Sequence, residues 1–172
     1  MEKTIKDVQS RLASYTSVAV AFSGGVDSSF LLAAAKGVSL KKLIAVMVVS
    51  PFVPQKEVAD AEGMAHAIGV DLIRIDTDIL KNRDVVKNSS QRCYYCKKAI
   101  FSLIRDAAGK EGIEFLVHAV NLDDIDDYRP GLRAAEELGF LAPLAEAGLT
   151  KSDIRRLSKE MGLDTWDKPS QS

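Results

Sequence analysis

One junction restricts the fold more than any other part of the sequence. The apolar run Ser17-Val18-Ala19-Val20-Ala21-Phe22 passes directly into Ser23-Gly24-Gly25-Val26-Asp27-Ser28-Ser29, and that into Phe30-Leu31-Leu32-Ala33-Ala34-Ala35. The order reads strand, tight turn, helix. Two adjacent glycines let backbone N–H groups converge without Cβ interference, three serines add hydroxyl donors, and the new helix directs its positive end at the turn. These are the parts of a phosphate cradle. A carboxylate such as Asp27 inside an anion site would repel bare phosphate, so its presence calls for a Mg²⁺ ion bridging carboxylate and polyphosphate oxygens. The turn has neither the Lys of a Walker A loop nor the G-x-G-x-x-G of a dinucleotide fingerprint. Its plain alternative is a Ser/Gly-rich turn with no ligand.

The rest of the chain repeats the alternation. Leu43 to Val49 is an unbroken apolar run of strand length, as expected for a parallel strand covered on both faces. Helical spacing follows over residues 55–68 and stops at Gly69, before a strand at 71–75. A helix is expected over about 93–108, a strand over 114–120, and helices over 131–138 and 150–161, with a further short helix at 4–14. Thr150 and Asp153 stand at capping-box spacing. Strands alternating with helices imply an α/β fold, a parallel sheet doubly wound with helices on both faces. Ligands of such sheets lie beyond the carboxyl ends of the strands. That rule gathers Ser23 to Ser29, Ser50, Asp76 to Asp78 and Asn121 to Asp127 on one rim.

Composition sets limits on the partners. With 47% hydrophobic and 27% charged residues in 172, the chain is of a size and balance for one globular domain. A formal net charge of −1 gives no global basic field, which disfavours a large nucleic-acid partner. The charged start Met1-Glu2-Lys3-Thr4-Ile5-Lys6-Asp7 has no apolar core, and no apolar run reaches membrane-spanning length, so a cytoplasmic location is expected.

Two more constellations carry chemistry. Asn121-Leu122-Asp123-Asp124-Ile125-Asp126-Asp127-Tyr128-Arg129 places four carboxylates and one guanidinium within nine residues of the fourth strand's end. A divalent ion would compensate such a density, and Arg129 is suited to pair a phosphate or a substrate carboxylate. The competing reading is a solvated acidic loop in which Asp123 or Asp127 caps a helix. Arg92-Cys93-Tyr94-Tyr95-Cys96-Lys97-Lys98 contains the two cysteines of the chain, beside three cations and at the expected start of a helix. So close a pair suggests metal or sulfur chemistry, although two thiols fall short of a closed zinc or iron–sulfur site; the alternative is a pair of partly buried small residues. His66 and His118 lie in helical and strand patterns and read as structural.

Together these stretches resemble the LarE-type ATP-dependent sacrificial sulfur transferases, a branch of the N-type ATP pyrophosphatase (PP-loop) superfamily. The resemblance spans nearly the whole chain. It is carried by the Ser23–Ser29 loop, Arg92-Cys93-Tyr94-Tyr95-Cys96-Lys97, Asp126-Asp127-Tyr128-Arg129-Pro130-Gly131, the stretch from Ala142 to Lys151, and Trp166-Asp167-Lys168-Pro169-Ser170. It implies a Rossmann-like PP-loop fold in a single domain over 1–172. It also implies an enzyme that uses ATP and Mg²⁺ to adenylate a carboxylate of a pyridinium mononucleotide, the precursor of a nickel-pincer cofactor. Pyrophosphate is released, and sulfur then displaces AMP. On this basis Ala21, Phe22, Ser23, Gly24, Gly25, Val26, Asp27, Ser28, Ser29, Ser50 and Asn121 bind the nucleotide. Asp27, with Asp123 and Asp127, holds metal; Lys97 and Arg129 bind anionic substrate groups; and Cys93 and Cys96 handle sulfur or ligate a [4Fe-4S] cluster. The family pattern continues past Lys-Pro-Ser to a further cysteine and a C-terminal portion expected to be absent here. Where the family has Asp-Gly-Thr-Asn, this chain has His118-Ala119-Val120-Asn121. The superfamily also contains tRNA thiolases and amide-forming GMP and NAD synthetases, which share the loop. A non-catalytic nucleotide-binding subunit, as a homo-oligomer or completed by another chain, is the remaining alternative.

Overall fold

The computed structural model describes residues 2–78, 92–126 and 130–169, with the side chains of Arg92, Cys93, Asp126 and Pro130 left aside. Helix α1 (Ile5–Leu12) leads into strand β1 (Ser17–Ala21), followed by α2 (Val26–Lys36), β2 (Lys42–Val49), α3 (Gln55–Ile68) and β3 (Asp71–Asp76). Then come α4 (Arg92–Lys110), β4 (Phe115–Val117), α5 (Leu122–Asp126), α6 (Pro130–Glu137), β5 (Phe140–Leu141), α7 (Pro143–Glu146), α8 (Lys151–Glu160) and a 3₁₀ turn, Asp164–Asp167.

The five strands form one parallel sheet in the order β3-β2-β1-β4-β5. Alternation along the central strands divides the core into two layers. Val18, Val20, Ala45, Met47, Val49 and Val117 pack with α1, α2, α3 and α8 on one face, among them Leu12, Leu31, Val58 and Ile154. On the other, Ala19, Ile44 and Val46 pack with Phe101 and Ile104 from α4, Ala135 from α6 and Leu138 just after it. The expected doubly wound α/β fold is therefore present. Because β1 is flanked by β2 on one side and β4 on the other, the crevice beyond its carboxyl end is the topological switch point of the sheet.

One expected element is shorter than its sequence pattern. The fourth strand pairs only over Phe115–Val117, shorter than 114–120, because its outer neighbour β5 has just two residues; His118 N donates to the Leu141 carbonyl at 3.0 Å and the ladder ends. The two-residue β5 and the short α5 and α7 are too brief to leave a period in the sequence. Among the described residues, no helix is long and apolar enough to cross a membrane.

Candidate functional site

The turn after β1 is built as a cage of its own hydroxyls. Ser28 Oγ accepts from Ser23 N at 3.1 Å and lies 3.2 Å from Ser23 Oγ, which in turn accepts from Gly25 N at 3.3 Å. Gly25 is the N-cap of α2 and has no side chain to close the helix end, so the first-turn N–H groups stay open toward the rim. Gly24 is required twice over. Its φ is +81°, and a Cβ placed on it would fall 2.6 Å from Ala61 Cβ and 2.9 Å from Ala61 Cα on α3. The loop is thus pressed against α3 at a separation only glycine permits.

Asp27 is the electrostatic centre of the turn. Its Oδ2 accepts from Lys151 Nζ at 2.8 Å and from Asn121 Nδ2 at 3.3 Å, while Oδ1 is buried with no hydrogen-bond partner. Burial raises the Asp27 pKa above the ordinary carboxylate value; the Lys151 ammonium opposes that, and Asp124 adds to it. Asn121 is fixed from both sides. Besides donating to Asp27, it accepts from Asp124 N at 2.9 Å through Oδ1 and donates its own N–H to Asp124 Oδ2 at 3.3 Å, which caps α5. Asp123 Oδ2 accepts from Lys151 N at 2.9 Å, tying α5 to the start of α8. Two distant segments thereby converge on the Asp27 carboxylate.

Lys151 and Lys168 were not among the expected site residues. Lys168 Nζ donates to the Gly24 carbonyl at 3.3 Å. A signal for Lys151 does exist in the sequence. It follows the capping residue Thr150 directly, and a cation in the first turn of a helix opposes the macrodipole, a local conflict of the kind functional sites retain.

Beside the loop lies a cleft of about 670 Å³ at the carboxyl ends of β2 and β3. Its lining includes Ser50, Val53, Val58, Glu62, Arg74 and Asp76. Arg74 bridges Glu62 at 3.1 Å and Asp76 at 3.0 Å. Helix α3 supplies both the cleft wall, through Val58 and Glu62, and the Ala61 contact with Gly24, so loop and cleft are neighbours.

Phe22, Cys96 and Lys97 are not among the hydrogen-bond partners of Asp27. Phe22 is buried, with its N–H on the Val46 carbonyl at 2.9 Å. Lys97 and the half-buried Cys96 are on α4, which covers the opposite face from α2. The Lys97 stem crosses Gly131 so closely that a Cβ there would lie 2.9 Å from Lys97 Cγ. Next to them, His118 is enclosed by Phe101 and Phe140, and this desolvation, with Lys97 second, lowers its pKa to about 4. Tyr94 is buried on α4, donates its hydroxyl to Glu137 and carries the Arg133 guanidinium 4.3 Å over its ring. Arg129, Asp127 and the Cys93 side chain lie outside the described residues.

A divalent cation fits the donor set at Asp27, whose second oxygen is buried and without a partner. For a [4Fe-4S] cluster the chain offers Cys93 and Cys96, of which Cys96 is half-buried on α4 and the Cys93 side chain lies outside the described residues.

Comparison with known proteins gives the family and the fold. Residues 2–101 match the asparagine synthase family, more than half of the chain. The chain belongs to that family, a PP-loop group. Among the relatives of this asparagine synthase-family chain is the pyridinium-3,5-bisthiocarboxylic acid mononucleotide synthase of Lactiplantibacillus plantarum, 34% identical over 152 residues, covering 88% of this chain and 55% of the relative. An uncharacterised Synechocystis protein is 33% identical over 171 residues, covering 99% of this chain and 64% of that protein. The chain therefore spans between half and two thirds of the length of these relatives. The NMN synthetase of Francisella tularensis superimposes with a TM-score of 0.76 at 14% identity, over 99% of this chain and 76% of that one, a likeness of fold.

Proposed function

We propose that this chain is the ATP-binding, adenylating domain of a sulfur transferase that activates a carboxylate of a pyridinium mononucleotide. The observation that carries the reading is Asp27, held by Lys151 and Asn121 inside a glycine-serine turn and left with one buried oxygen free. Kinship with the thiocarboxylate-forming relative supports the choice of acceptor.

In this account the open N–H groups at the start of α2 and the hydroxyls of Ser23 and Ser28 receive the β- and γ-phosphoryl oxygens. The cleft along β2 and β3, with Ser50 at its edge, takes the nucleoside. A substrate carboxylate oxygen attacks the α-phosphorus, the bond from that phosphorus to the bridging oxygen breaks, and pyrophosphate leaves into the cradle. The acyl adenylate then loses AMP, with its oxygen, to a sulfur nucleophile that forms the new carbon–sulfur bond. Mg²⁺, held by Asp27, would supply charge neutralisation on the leaving group. Lys151 keeps the carboxylate oriented, and Asn121 fixes its rotamer. Lys97 and Arg129 are assigned to anionic groups of the acceptor, and Cys93 and Cys96 to the handling of sulfur. No step is routed through an iron–sulfur cluster. Asp123 and Asp127 remain candidates for a second cation contact, although the Asp123 carboxylate already receives the Lys151 N–H.

Product analysis tests the reading. Incubation with ATP, Mg²⁺, the pyridinium dicarboxylate mononucleotide and inorganic sulfide as nucleophile should yield AMP and pyrophosphate in equal amounts, and Asp27→Asn should abolish both. Release of ADP and phosphate, or turnover unchanged in the variant, would refute it.

A further inference from the structure

The 3₁₀ turn Asp164–Asp167 is strapped down at several points. Arg155 Nη1 donates to the Trp166 carbonyl at 2.8 Å, Lys159 Nζ sits 4.6 Å over the Trp166 ring, and Thr165 is buried. The strap leads to Lys168, whose ammonium crosses 144 positions of sequence to reach the Gly24 carbonyl at 3.3 Å. That contact is chemically unequal to the residue making it. An ammonium has three donors, and one long hydrogen bond to a neutral carbonyl uses one of them. Among the described residues Lys168 has no carboxylate partner, whereas Lys151, the other cation at the turn, is neutralised by Asp27 at 2.8 Å. A carbonyl oxygen also has the wrong sign for an anion-binding turn, and the Lys168 ammonium covers it.

We infer that Lys168 is a phosphate-contacting residue: in the nucleotide complex its ammonium spans the Gly24 carbonyl and a β- or γ-phosphoryl oxygen, coupling occupancy of the turn to the position of the 164–168 strap. The inference rests on the nucleotide reading above and adds to it a residue specific for the polyphosphate. A lysine that only fastened the strap would affect every ligand alike. One that contacts polyphosphate separates triphosphate from monophosphate.

Calorimetry with Mg²⁺ and α,β-methylene-ATP, set beside AMP, reads that difference. Lys168→Met should weaken the triphosphate analogue about tenfold, the scale of one charge-assisted hydrogen bond, while AMP affinity stays within about twofold. Lys168→Arg should recover most of the loss. Hydrogen exchange in the 161–169 segment should slow on addition of the analogue in the wild-type protein and not in Lys168→Met. Wild-type affinity for the analogue in Lys168→Met, or equal losses for analogue and AMP, would overturn the inference and leave the nucleotide reading standing. Absence of analogue binding by the wild-type protein would overturn both.

Discussion

Replacing Gly24 by alanine tests the cradle without touching any polar group. The new Cβ would stand 2.6 Å from Ala61 Cβ and 2.9 Å from Ala61 Cα, where 3.4 Å begins ordinary contact, so loop and α3 must part by nearly an ångström. The backbone at φ +81° adds about 1–2 kcal/mol for a residue with a Cβ, and overpacking about 1–3 kcal/mol. The sum, about 2–5 kcal/mol, is a large share of the roughly 5–15 kcal/mol that holds a domain of this size together. At about 2–4 °C per kcal/mol, Gly24→Ala should melt some 4–20 °C below the wild-type protein by scanning calorimetry, and it should lose nucleotide affinity with the displaced loop. Adding Ala61→Gly removes the 2.6 Å contact and keeps the 2.9 Å one, so recovery should be partial. Gly63, in the same helix with nothing within 4 Å of a built Cβ, is the control: its alanine variant should gain up to about 1 kcal/mol. A Gly24→Ala protein melting within a degree of wild type would refute the claim that the loop is seated against α3 at glycine-only distance.

Lys151→Met leaves the Asp27 carboxylate without its ion-pair partner. Because the two side chains retain 27% and 18% exposure, the loss should be about 1–2 kcal/mol by urea denaturation at pH 7, below the cost for a fully buried pair, and added Mg²⁺ should stabilise this variant more than the wild type. Asp123→Ala removes the acceptor for the Lys151 N–H but spares the Thr150–Asp153 capping box, so a drop of about 1 kcal/mol and a weaker nucleotide affinity are expected from denaturation and calorimetry. His118 has a folded-state pKa of about 4 against an ordinary 6.5, so between those values the unfolded chain binds the proton and the native protein does not. Stability should therefore fall as pH is lowered through that window, by up to about 3 kcal/mol, and His118→Phe should flatten that part of the profile.

Long periodic segments were readable because one rule governs each. The run Leu43 to Val49 is apolar throughout because β2 is covered on both faces, and α3 ends at Gly69 because the chain turns there at φ +88°. The glycine-serine turn between β1 and α2 was legible as local chemistry, and rim placement of Asn121 followed from the strand-end rule. Contacts across the fold were not. Lys151 reaches Asp27 over 124 positions and Lys168 reaches Gly24 over 144, pairings that no spacing encodes. Gly131 stood only at the start of the helix expected over 131–138, and its close approach to the Lys97 stem is a contact the pattern does not carry. His118 was read as structural, and its aromatic enclosure agrees with that; the substitution of Gly by Ala119 just after it is accommodated with no positive φ at a non-glycine residue.

The central claim is that the amides opening α2 grip the phosphates of ATP. Amide chemical shifts of the isotope-labelled protein, followed as Mg²⁺ and α,β-methylene-ATP are added, address those groups directly. Saturable shifts should be largest from Gly24 to Ser29, with smaller ones along the β2–β3 cleft. Loop amides unmoved at millimolar nucleotide, or shifts confined to another part of the molecule, would contradict it.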